Sequence, residues 1–242
     1  MITLKKIATY KKVWFLQALF AWLWLGISAQ AHADSYDDLY ELAGWKQQAV
    51  HFEQALPLLQ QEITQKTGFT PSISWQPQAF QRKATETLRQ QLVSPQAALD
   101  FFNSKAGMQV VKAEVNATQL SKIKTYRHQP SWSLDVTRQR ELDRLRASLP
   151  IQAALNQLQS QIIKQQTNNA NLNIPGLGDL STLTSGALQN ISLFKPSTYD
   201  INQAMIIVYG DLSHPELKAF ADFAESAEGQ AYYNACVQML QF

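Results

Sequence analysis

Cysteine is almost absent from this chain. Cys236 is the only one in 242 residues, so an internal disulfide and a cysteine-built metal cluster are both excluded. It sits among Ala235, Val237 and Met239 in a helical pattern. That context reads as a buried core thiol, and the alternative is a cross-link between two copies in a homodimer. Catalytic signatures are missing as well. There is no His-Glu-x-x-His zinc motif and no Gly-x-Ser-x-Gly nucleophile elbow. Gly176-Leu177-Gly178 lacks the third glycine and the preceding strand of a dinucleotide-binding loop. The acids Asp34, Asp37, Asp38 and Glu41 lack the glycine-containing turn of a calcium loop and read as a solvated helix start. No cofactor and no metal is expected.

An excess of one charge is lacking too, once the N-terminus is set apart. Lys5, Lys6, Lys11 and Lys12 precede an apolar run from Val13 to Ala29, and Ala31-His32-Ala33 follows. A basic start, an apolar middle and small residues at the end make a secretory signal peptide, residues 1–33, with cleavage expected after Ala33. Those four lysines are part of 21 basic residues, leaving 17 against 19 acids in the remainder. A near-neutral chain of this kind gives no electrostatic footprint for nucleic acid. Contact with a membrane is expected only through the signal segment before cleavage.

What the chain does have is a well-marked helical pattern near its C-terminus. Ser213 followed by Glu216 is a capping box. Leu217, Phe220, Ala221 and Ala224 then recur at helical spacing. Ser226 suits the N-cap of a second helix. Gly229 lies three residues inside it, where glycine costs helix propensity, so close packing against its backbone is expected. A weaker copy lies upstream: Asp100, Phe101, Ser104 and Gly107 match Asp222, Phe223, Ser226 and Gly229 at a constant separation of 122. The run Leu217, Phe220, Phe223, Ser226, Gly229 resembles the C-terminal signature of the bacterial family called domain of unknown function 2059. That resemblance implies an exported helical protein of the Gram-negative envelope, located in the periplasm. It implies no catalytic residue.

The front of each half also matches. Leu39, Leu42, Phe52, Ala55 and Leu59 correspond to Leu142, Leu145, Leu155, Leu158 and Ile162 at a separation of 103. The change from 103 to 122 requires 19 extra residues in the later copy. Thr167 to Phe194, rich in Asn, Gly, Ser and Thr, reads as the inserted loop. The expected fold is therefore all-α. It is a helical bundle of two tandem, duplicated repeats, residues 34–126 and 127–242, each covering the apolar stripe of the other. Pro57 should kink or split the helix that begins at Trp45. The run Ile201 to Tyr209 is compatible with a buried strand, and the match to the helix Phe80–Leu92 favours a buried helix.

With so little chemistry to point to, the function expected is non-enzymatic binding of an envelope protein or an apolar small molecule. Phe220, Phe223, Tyr232, Tyr233, Trp75 and Trp132 are the candidates for a groove; filling the core is their other use. Ser104, Gly107, Ser226 and Gly229 are structural, at the helix junctions. The rival is a hydrolase using His214 with Asp222, Glu225 and Glu228, which are spaced three apart.

Overall fold

Helical periodicity dominates the sequence, and helices dominate the chain. The structure is a computed structural model that describes residues 35–68, 70–122, 134–169, 173–174, 178–179 and 196–241. The expected signal peptide, residues 1–33, lies outside the described residues, as do Trp132 and most of the expected loop at 167–194. The helices are α1 (35–42), α2 (Trp45–Thr67), α3 (Pro77–Gln91), α4 (Gln96–Asn103) and α5 (Lys105–Thr118). They continue with α6 (Val136–Ser148), α7 (Ile151–Asn169), α8 (Thr198–Tyr209), α9 (His214–Glu225) and α10 (Ala227–Met239). The described strands are two-residue pieces, Asn173–Ile174 paired antiparallel with Gly178–Asp179. The described chain is thus an all-α bundle, and Ile206 and Val208 lie on a helix.

Local chemistry sets the helix ends. Gly44 turns the chain between α1 and α2 at φ 76°, a left-handed conformation that glycine adopts without a side-chain clash. Pro77 opens α3 at its first position, where a missing N–H costs nothing. The capping box forms at α9: Ser213 N–H and hydroxyl both donate to Glu216 Oε2 at 2.8 Å. One expectation is corrected in part. Pro57 does not split α2, which runs unbroken for 23 residues. Pro57 and Glu53, whose carbonyl loses its partner, are both exposed, so water satisfies the freed group.

The two Phe–Ser–Gly corners have the same geometry. Ser104 sits at φ −69°, ψ 159° and Ser226 at φ −66°, ψ 157°. Each hydroxyl accepts from the glycine N–H three residues on, at 3.0 Å in both cases. Each serine N–H donates to the phenylalanine carbonyl at 3.0 Å. That carbonyl then lies where a glycine Cβ would be. A Cβ on Gly107 would sit 2.0 Å from Phe101 O, and one on Gly229 would sit 1.8 Å from Phe223 O. The close approach expected at these glycines is made by the helix before the corner. Helix ends keep the spacing too: α4 and α9 end at 103 and 225, and α5 and α10 start at 105 and 227.

The corners meet. Phe101 stacks on Phe223 with centroids 4.2 Å apart and planes 7° apart, an aromatic pair worth about 0.5–1.5 kcal/mol beyond its area. Around them one core draws on both halves, including Leu39, Leu88, Leu145, Leu217, Phe220 and Met239, all essentially fully buried. Packing crosses between the halves. Helix α3 lies on α10, and α8 lies on α5. The long helices α2 and α7 meet farther out, where Ile63 and Ile162 form a small second cluster.

The corner geometry generates a stability prediction. Gly107→Ala and Gly229→Ala should each cost about 2–3 kcal/mol by overlap with a backbone carbonyl that cannot step aside. Gly68→Ala, at φ 71° with open space around it, should cost only the left-handed penalty of about 1 kcal/mol. Urea denaturation of the three variants checks the order.

Candidate functional site

A hollow lies between the second helices of the two corners. It has a volume of about 590 Å³. From α10 come Tyr232, Tyr233, Cys236 and Val237, and from α5 come Glu114, Ala117 and Thr118. Trp45 and Gln48 of α2 close one side, and Val208 and Tyr209 of α8 another. The turn into α7 supplies Leu149, Pro150 and Ile151, followed by Ala154, Leu155 and Leu158. A smaller cavity of about 260 Å³ adjoins it, sharing Trp45, Gln48, Thr118, Leu158 and Leu240 and reaching Phe52, Phe80 and Trp75.

Aromatic side chains are fixed at its wall by hydrogen bonds and ring contacts. Trp45 Nε1 donates to Tyr232 Oη at 3.0 Å, tying the start of α2 to α10. Tyr232 and Tyr233 meet edge to face at 5.1 Å. Trp75 Nε1 donates to Ala49 O at 3.0 Å, and its ring packs on Phe52 and Phe80 at 4.6 Å each. His51 Nδ1 and Thr118 Oγ1 are 2.9 Å apart at the edge of the smaller cavity.

One carboxyl faces this apolar space. Glu114 Oε1 accepts from Tyr209 Oη at 2.7 Å, and Gln48 is its second partner. Burial raises its pKa to about 7, and the two hydrogen bonds offset part of that rise. The groups around it do not titrate in the same range. Burial lifts the Cys236 thiol to about 12 and holds Tyr209, Tyr232 and Tyr233 well above the usual phenol range. Cys236 is buried, in a state unsuited to nucleophilic attack or ready cross-linking.

The candidate residues divide. Tyr232 and Tyr233 line the larger cavity and Trp75 the smaller one. Phe220 is fully buried, stacks on Phe101 at 6.0 Å and takes the edge of Tyr209 at 5.3 Å. It therefore lies in the aromatic core, with its neighbour Phe223 packed against it, and neither is among the residues lining the two cavities described above. Trp132 lies outside the described residues. Ser104, Gly107, Ser226 and Gly229 occupy the corners.

The carboxylates of the hydrolase reading are engaged elsewhere. Arg144 on α6 donates to Glu225 through Nε at 3.0 Å and through Nη2 at 2.6 Å, and Nη2 also reaches Asp222 at 2.8 Å. Lys218 Nζ pairs with Asp222 at 2.6 Å. Hydrogen bonds from these cations, Lys218 before Arg144 for Asp222 and Arg144 for Glu225, hold both carboxyls below the usual range. A general acid or base is best poised near neutrality; these two carboxyls lie below that range and tie α9 to α6 through Arg144. Glu141, nearly buried, joins the same Arg144. Glu228 is exposed on the first turn of α10. Among the described residues, no group of three or more His, Cys, Asp or Glu is placed to hold a metal.

Sequence reasoning missed Glu114. Its signal was present: Val110, Val111 and Val115 form the apolar stripe of α5, and Glu114 interrupts that stripe at helical spacing. No family model matches the chain, and neither a curated protein nor a solved structure matches it.

Glu114 fixes a pH dependence. Its folded-state pKa lies above its unfolded value, so the folded protein holds the proton more tightly. Its favourable contribution is complete below the unfolded value near 4.5 and is lost as pH rises through about 7. Glu114→Gln should therefore gain stability relative to the parent between pH 5 and pH 8. Urea midpoints at those two pH values check the sign.

Proposed function

We propose that this is an exported, non-enzymatic binding protein of the bacterial envelope. It holds an apolar small molecule in the cavity between α2, α5, α7, α8 and α10. One observation carries the reading: a hollow of about 590 Å³ with a wall of mainly apolar side chains and few polar groups. That volume falls within the roughly 300–1,000 Å³ of small-molecule sites, which combine an apolar lining with sparse polar groups. Export is supported by the basic, apolar and small-residue order of residues 1–33. Among the described residues no helix is long and apolar enough to cross a membrane.

The pattern Leu217, Phe220, Phe223, Ser226, Gly229 supports assignment to the domain of unknown function 2059 family. The proposal includes an internal duplication. Its supports are the separations of 103 and 122 in the sequence, the equal Ser104 and Ser226 corners, and the stacking of Phe101 on Phe223.

An environment-sensitive apolar dye, N-phenyl-1-naphthylamine, tests the cavity. The protein without residues 1–33 should bind it with a Kd in the micromolar range. Ala154→Trp and Ala117→Trp, which fill the space, should weaken binding at least about tenfold while melting within a few degrees of the parent. Equal binding by the filled variants, or none by the parent, would overturn the proposal.

A further inference from the structure

Glu114 is the unusual member of the cavity wall. Among the described residues, no lysine, arginine or histidine lines the larger cavity. Three described cations are engaged elsewhere: Arg144 with Glu141, Asp222 and Glu225, Arg138 with Asp135, and Lys218 with Asp222. Glu114 has two hydrogen-bond partners, Tyr209 and Gln48. A carboxylate has about four acceptor positions, so acceptor capacity remains on the cavity side. An apolar site gains nothing for its own folding from such a group, because an unpaired carboxylate is costly to desolvate. Around it stand Trp45, Tyr209, Tyr232 and Tyr233. Aromatic walls with a carboxylate are the surroundings that hold an ammonium group, by cation–π attraction and by charge pairing.

We infer that the occupant of the cavity is an apolar molecule bearing one protonated amine, with its ammonium met by Glu114 and its hydrocarbon body lying along Leu155, Leu158 and Val237. The inference rests on the binding reading above and names the chemical class of the ligand. Binding then depends on pH through Glu114, the carboxyl on the larger cavity's described wall; His51, 2.9 Å from Thr118, lines the adjoining smaller cavity. The groups facing Glu114 are Tyr209 on α8, Tyr233 and Cys236 on α10, and the uncharged Gln48 on α2, and burial keeps the phenols and the thiol protonated at neutral pH. A primary amine keeps its charge across the same range. Its affinity therefore rises as the Glu114 carboxyl ionises.

Calorimetric titration with decylamine, decanol and decanoate separates this inference from the reading it rests on. At pH 8 the parent protein should bind decylamine about tenfold or more tightly than decanol, and decanoate most weakly. Decylamine affinity should rise between pH 5.5 and pH 8. Glu114→Gln should bind decylamine no more tightly than decanol and lose the pH dependence. Equal affinity for amine and alcohol in the parent, or an amine preference that survives Glu114→Gln, would overturn the ligand class and leave the apolar cavity standing. Failure of all three probes to bind would remove both. The pH profile of the parent keeps the test decisive even where the variant folds poorly.

Discussion

Everything in this fold follows from two backbone carbonyls pressed against two glycines. At each corner a helix carries phenylalanine two residues before its last, asparagine or glutamate; a serine then takes an extended conformation, and a new helix begins at once. Only a residue without Cβ leaves room for the preceding carbonyl. The serine then supplies the hydrogen bonds that a new helix start lacks. The angle between successive helices is thereby fixed by covalent geometry and two hydrogen bonds at each corner. With that angle set, Phe101 and Phe223 are presented to each other face to face. The helices leaving the corners, α5 and α10, bring Glu114, Tyr232 and Tyr233 to the same hollow.

A second, electrostatic tie acts on the outer face. Arg144 reaches three carboxylates on two helices. Its guanidinium fork suits Glu225 through two nitrogens at once. Glu141 is nearly buried beside it, so the arginine also neutralises a charge that would otherwise be expensive. This joins α6 to α9 next to the apolar contact already made there by Leu142, Leu145, Leu217 and Ala221. Asp222 and Glu225, two of the acids in the hydrolase reading, take part in this tie.

Much of the architecture was legible because its causes are local. The capping box at Ser213 and Glu216, Pro77 at a helix start, and the Ser–x–x–Gly corners each act within a few residues. The run Ile201 to Tyr209 was ambiguous alone, and its match to the α3 region resolved it as a helix. Contacts between distant residues left no comparable trace. Arg144 to Glu225, Trp45 to Tyr232 and Glu114 to Tyr209 join residues 81, 187 and 95 positions apart. Phe220 and Tyr232 carry the same helical pattern, yet one lies in the core and the other at a cavity wall. Periodicity marks the face that is buried, and the space on the other side of that face is decided by a different helix.

The crossing of helices between halves bears on how the polypeptide is made. Synthesis proceeds from the N-terminus, so α3 emerges long before α10, the helix that covers Phe80 and Leu88. Through most of that interval the greasy side of α3 is without its final neighbour. Native packing of α3 must therefore wait until α10 is available to it. A chain cut shortly before residue 227 would lack the helix that packs on α3 and would leave that face open.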